Sequence, residues 1–174
     1  DGDSWLEFRR VLFRSEEVMR EIKFRAWNKN KSCMIYLDET YPKSKYKLEF
    51  EIFNGFNLTL MEMTNRENVY YKDGEGTYIE HFEPVESVIM QYIGLKDSNK
   101  NKLYEGDIVK IEDYFGDDII GRVIYDETTA GYVFHKGNER NYFQMTLDLE
   151  SYVYYVIGNI YENTELLEEV METH

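Results

Sequence analysis

From Glu21 to Trp27 polar and apolar residues alternate with period two (EIKFRAW), the pattern of a strand with one buried face. Asn28 to Ser32 is a polar turn, and Cys33 to Leu37 is the return strand. Residues 38–47 read as a loop around Pro42. Apolar runs resume over 48–63 and break at Asn54-Gly55, a two-residue hairpin signal. Val69 to Tyr71 and Thr77 to Ile79 flank Asp73-Gly74-Glu75-Gly76, which predicts a second hairpin. Further strands are expected at Ser87–Tyr92, Ile108–Ile111, Gly121–Tyr125, Gly131–His135 and Tyr152–Ile160, with a turn over Asp97–Asn101 and a DETTA loop before Gly131. Asn163 or Thr164 can then cap a short helix from Glu165 to Met171, whose acidic first turn suits the helix dipole. Short strands about ten residues apart in the C-terminal half predict a small closed or nearly closed barrel.

Composition agrees with a β-rich folded chain. Aromatic residues make up 16% of the 174 residues, with 16 Tyr and 10 Phe against 2 Pro. Disordered chains are poor in aromatics, and Tyr, Phe, Ile and Val suit a pleated, half-buried surface. The length fits one domain or two small ones. We divide the chain into an N-terminal β-rich region, 19–85, and a C-terminal region, 86–174. The first residues have neither strand nor helix period. VLFRS resembles a translated sequencing-adapter sequence, and Glu16-Glu17-Val18 can be encoded by a ribosome-binding-site sequence just before Met19. We therefore expect residues 1–18 to be a non-native leader, with an amphipathic N-terminal helix as the alternative.

The charge narrows the partners. A net charge of −14 opposes duplex nucleic acid, whose binding draws on Lys and Arg facing phosphates. No run approaches the roughly 20 apolar residues of a membrane-spanning helix, so no membrane partner and a cytoplasmic location are expected. Cys33 is the single cysteine, which excludes an internal disulfide and a thiolate metal site within one chain. His81, His135 and His174 lack a second histidine at ligand spacing, and no HExxH, GxSxG or Walker loop occurs. Gly74-Glu75-Gly76 lacks the third glycine and following helix of a phosphate fingerprint. Asp113, Asp117, Asp118 and Asp126 lack the alternating spacing of a calcium loop and read as solvated loop acids. No cofactor, no metal and no catalytic residue are expected.

Three segments resemble the YopX family of phage and prophage proteins. They are Ile22-Lys23-Phe24-Arg25-Ala26-Trp27, then Met90-Gln91-Tyr92-Ile93-Gly94-Leu95-Lys96-Asp97 running into Leu103-Tyr104-Glu105-Gly106-Asp107-Ile108-Val109, and last Val156-Ile157-Gly158-Asn159-Ile160-Tyr161-Glu162-Asn163. Thr164, where the family often has Pro, and Ile93, where Thr is frequent, depart from it. Residues 38–85 match no segment we can name. The resemblance implies a mainly β, antiparallel fold with a small SH3-like barrel in the C-terminal half and a life on phage or prophage genomes. It implies no established activity.

Arg25 and Trp27 lie on one face of the first strand. An arginine fork holds phosphate and an indole stacks on flat rings, so the pair fits a nucleotide; equally, Trp27 fits a core anchor and Arg25 a structural ion-pair partner. Tyr-rich strands fit nucleobase stacking, wet interfaces or simple sheet cover. The candidate ligand-binding residues are Arg25, Trp27, Tyr92, Lys96 and Arg122. The expected function is a non-enzymatic, homo-oligomeric phage accessory protein that binds and sequesters a small nucleotide signal of bacterial immunity. The alternative is an acidic interaction module that targets a host protein.

Overall fold

A computed structural model describes residues 21–37, 44–51, 57–71, 73–112, 118–136, 142–144 and 152–166. The expected leader, 1–18, lies outside them. The described residues form twelve strands: β1 (Phe24–Asn28), β2 (Cys33–Tyr36), β3 (Tyr46–Glu51), β4 (Asn57–Tyr70), β5 (Gly76–Val85), β6 (Ser87–Lys96), β7 (Lys102–Tyr104), β8 (Asp107–Glu112), β9 (Ile119–Asp126), β10 (Gly131–His135), β11 (Tyr142–Gln144) and β12 (Val153–Asn159). Every pairing between them is antiparallel. The mainly antiparallel β class expected from the sequence is what the chain adopts.

Three sheets result, ordered β2-β1-β6-β7, β11-β10-β9-β8-β12 and β3-β4-β5. The boundary between 19–85 and 86–174 falls between β5 and β6, and β6 pairs across it with β1, Ala26 opposite Ile89. The five-stranded sheet leaves β11 and β12 with one neighbour each among the described residues. Its inner face and the adjoining β6–β7 residues make the main core, where Ile93, Leu103, Val109, Ile111, Val123, Phe134 and Tyr154 are buried together. A second cluster of Ala26, Ile35 and Leu60, flanked by Leu48, Val85 and Ile89, seats the base of the β3-β4-β5 sheet on β1 and β2.

The middle of the chain departs most from expectation. The apolar runs of 57–63 and Val69–Tyr70 belong to one 14-residue strand, β4, with a register shift between Met63 and Asn65. β3 already begins at Tyr46, inside the expected loop. Its hairpin with β4 exists, but Glu51 pairs with Asn57, so five residues and not two connect the strands; Asn54-Gly55 lies outside the described residues. The hairpin at Asp73–Gly76 forms as expected, with Tyr70 opposite Gly76. β11 was not anticipated. At the C-terminal end helix begins at 164–166, and the rest of the expected helix is outside the described residues. Asn163 accepts the N–H of Leu166 through its backbone oxygen, but its side-chain Oδ1 turns back to accept the Asn159 N–H at 3.2 Å. The side-chain cap is thus diverted to holding the end of β12.

Candidate functional site

An open cavity of about 430 Å³ lies where the β2-β1-β6-β7 sheet meets β12. Arg25, Tyr36, Tyr104 and Asp107 line one part of it, and Lys100, Asn101, Lys102 and Val156 the rest. This size is within the range of about 300–1,000 Å³ usual for small-ligand sites. Each wall follows from local structure. Arg25 sits mid-strand in β1 with Tyr36 opposite on β2 and Met90 opposite on β6, so backbone pairing on both sides fixes its position. Tyr104 and Asp107 bracket the turn between β7 and β8. That turn needs Gly106, whose φ of +79° favours glycine. Asp107 tightens it by accepting the Tyr104 N–H at Oδ2, 2.7 Å.

The base is a buried ion pair. Arg25 is 3% exposed and Asp107 1%, with Nη2 2.6 Å from Oδ1. The same Nη2 donates to the Glu105 carbonyl at 3.2 Å, and the guanidinium lies 4.9 Å from the Tyr104 ring centre. Arg25 therefore clasps the β7–β8 turn. Burial pushes the Asp107 carboxyl above the usual carboxylate range, and Arg25 with the Tyr104 N–H pulls it only part of the way back. The guanidinium is not exhausted by these contacts: buried Nε has no hydrogen-bond partner among the described residues. A buried donor left unpaired costs roughly 1–3 kcal/mol.

The rim is built by the 97–101 loop. Asp97, 2% exposed, accepts the N–H groups of Asn99 and Asn101 at Oδ1, at 2.9 and 2.7 Å. Its Oδ2 accepts the Asn101 side-chain amide at 3.0 Å and the Val156 N–H at 3.1 Å, tying the loop to β12. Ser98 adds its N–H to the Tyr154 carbonyl, and the Tyr154 hydroxyl donates to the Lys96 carbonyl at 2.7 Å. Burial raises the Asp97 pKa, but the four donors outweigh it and leave the carboxyl below its ordinary value. The loop holds Lys100 at φ +70°. That conformation costs a residue with a Cβ roughly 1–2 kcal/mol.

Of the candidates read from sequence, Arg25 lines the cavity. Tyr92, 4% exposed, backs it through a 5.7 Å ring contact with Tyr104, which also meets Tyr36 at 6.4 Å. Lys96 is exposed and sits opposite Lys102 in the β6–β7 register, beside the rim. Trp27 is not in the lining; it is half-buried and stacks on Tyr161 at 5.7 Å and 17°. Arg122 is on β9, opposite Ile108 and His135, and is not brought to the cavity. Tyr36, Lys100, Asn101, Lys102, Tyr104 and Asp107 were missed as site residues. Among the described residues no group of three or more His, Cys, Asp or Glu could hold a metal ion. Asp118 instead pairs with Lys110 at 2.6 Å. No helix among the described residues is long and apolar enough to cross a membrane.

Fold and site together define an antiparallel β protein with an open, cation-rimmed cavity at a junction of sheets. The YopX protein family profile matches residues 23–168, and the chain belongs to that family, which is associated with phage and prophage. No curated protein matches it significantly. Among solved structures it is similar to the crystal structure of protein EF1440 from Enterococcus faecalis, with a TM-score of 0.52 and 24% identity over 84% of this chain and 98% of that one. That likeness concerns the fold.

Proposed function

We propose that this chain is a non-enzymatic phage accessory protein that captures a small nucleotide in the cavity around Arg25, as a sponge for a host immune signal. One observation carries the reading: in a chain of net charge −14, three cations and two tyrosines converge on one concave site with a single carboxylate among its lining residues. Tyr36 is 54% exposed and offers a ring for a base to stack on, while Lys100 and Lys102 line the cavity with ammonium groups that can donate to phosphate. Tyr92 and Lys96 support this shell from the next layer. Trp27 and Arg122 are assigned no ligand contact. The strands from Asp107 to Asn159 are read as a partly open SH3-like barrel whose edge, β12, forms one wall.

The test is a thermal-shift screen of the wild-type chain against linear and cyclic nucleotides, followed by calorimetry on Tyr36→Ala. A rise in melting temperature with at least one nucleotide, weakened about tenfold in Tyr36→Ala, is expected. No shift with any nucleotide would overturn the reading. A second reading, an acidic module that binds a host protein or another copy of itself, is favoured by the outer β4–β5 ribbon. There Tyr70, Tyr78 and Ile79 are 74, 61 and 46% exposed. Tyr78→Ser with Ile79→Ser should abolish pull-down of a host protein, or the oligomer seen by light scattering, if this surface is the interface.

A further inference from the structure

We propose that Lys100 is the phosphate-reading residue of the cavity, so that the site selects ligands bearing a phosphate ester or diphosphate. This rests on reading the cavity as a small-ligand site. Among the described residues, several lysines away from the cavity are neutralised: Lys29, Lys31, Lys45 and Lys110 each sit 2.6–3.0 Å from a carboxylate oxygen. Lys100 lines the cavity and has no ionic partner among them. An ammonium without an ionic partner among the described residues of so acidic a chain is a standing attraction for an anion.

The backbone gives a second, independent sign. Lys100 occupies a left-handed conformation that glycine or asparagine adopts at lower cost, although Asn99 and Asn101 stand on either side of it. Ser32 and Ala130 are the other positive-φ residues with side chains among those described, and neither lines the cavity. The strain is sustained by Asp97, whose two oxygens hold the residues flanking Lys100 and whose bond to Val156 anchors the loop on β12. Strain maintained by a buried clasp, beneath a cation with no ionic partner among the described residues, is the arrangement expected where the side chain, not the turn, is what the loop serves. Arg25 lines the same cavity and adds positive charge to it, offset in part by its ion pair with Asp107.

The experiment is calorimetry of the full chain with AMP, adenosine and inorganic pyrophosphate. It compares wild type, Lys100→Gly, Lys100→Arg and the distant control Lys29→Ala. Glycine removes the ammonium and fits the φ, so Lys100→Gly should melt no lower than wild type, which separates loss of binding from loss of fold. Its affinity for AMP and pyrophosphate should fall about tenfold or more. Adenosine should bind it as it binds wild type, and Lys100→Arg and Lys29→Ala should stay within about threefold of wild type. If wild type binds AMP and Lys100→Gly binds it equally well, the assignment of Lys100 is overturned while the cavity reading stands. If pyrophosphate binds through Lys100 and no nucleotide binds at all, the phosphate subsite holds and the nucleotide reading falls. If neither AMP nor pyrophosphate binds wild type, the assignment is overturned.

Discussion

The sheet from β8 to β12 and the outer half of the β4–β5 ribbon are both antiparallel ladders of similar hydrogen bonding, yet they differ in what their side chains meet. In the first, Val109, Val123 and Phe134 are fully buried. In the second, every described residue from Thr64 to Asn68 and from Gly76 to Ile79 is exposed. The ribbon is tied instead by side-chain pairs along its surface, such as Arg66 with Glu80 at 2.6 Å and the Arg66 guanidinium 4.7 Å from the Tyr78 ring. Backbone pairing therefore sets the shape of both regions, but only one has the apolar burial that stabilises it. A two-stranded ribbon is marginal alone in water, and here its base is held by Leu60 in the second core cluster.

The contrast can be broken most forcefully at its buried pole. Phe134→Ala should cost about 3–5 kcal/mol in urea unfolding, because the side chain is fully buried among the main-core residues. A loss below about 1 kcal/mol would show that the sheet does not depend on this core.

A matched pair of substitutions asks the same question with one methyl group. At Gly121 an added Cβ would meet Phe134 Cζ at 2.5 Å and the His135 carbonyl at 2.6 Å, so Gly121→Ala should cost about 1–3 kcal/mol. At Gly76 the nearest atoms belong to the Tyr70 ring, at 3.1 Å. That ring is free to swing because it is 74% exposed. Gly76→Ala should stay within about 0.5 kcal/mol of wild type. Equal losses in the two variants would erase the distinction between the regions.

Asp97 sharpens the comparison through pH. Its folded-state pKa is depressed, so the unfolded chain takes up the proton first. Its contribution is whole above the ordinary aspartate range, near pH 4, and is lost as pH falls below it. Asp97→Asn should cost about 1–2 kcal/mol at pH 7 and flatten the acid limb of stability between about pH 4 and 2. An acid limb of unchanged steepness in urea midpoints would rule Asp97 out as its source. The smallest effect belongs to the ribbon: Arg66→Ala, at a side chain 47% exposed, should change stability by less than about 1 kcal/mol.

Strands are legible where their side chains are buried in a core, because burial is what writes apolar residues into a segment. FRAW of the alternating EIKFRAW falls on β1, and the apolar runs of SVIMQY and GYVFH fall on β6 and β10, strands with several buried residues each. The ribbon has no buried face over Thr64–Asn68, so TNRENVY carries no such alternation and its strand was read as fragments. The site divided in the same way. Arg25 could be found because an arginine inside a half-apolar strand is conspicuous, and its burial against Asp107 accounts for the structural role weighed for it. Trp27 proved half-buried against Tyr161, a contact between residues far apart in the chain. Lys100 and Lys102 were hidden in an NKNK turn, where lysine is unremarkable. Only the folding of that turn around Asp97 gives them a shared direction. Asp107 and Tyr104 stand in the LYEGDIV segment, but their convergence on Arg25 is a property of tertiary packing.

The pairing of β1 with β6 also bears on how the chain reaches its fold. Asn28 pairs with Ser87, so everything between them must loop out before these strands can meet. Closing a loop costs entropy that grows with the logarithm of its length, about 0.6 kcal/mol for each doubling. The β3–β4 and β4–β5 hairpins lie wholly inside that loop and join strands adjacent in sequence. Once formed they shorten the free chain that remains to be closed. If it forms first, the ribbon so exposed in the finished protein would serve as a splint during collapse, bringing Leu60 and Val85, which pack with Ala26 and Ile89 in the fold, towards β1 and its distant neighbour.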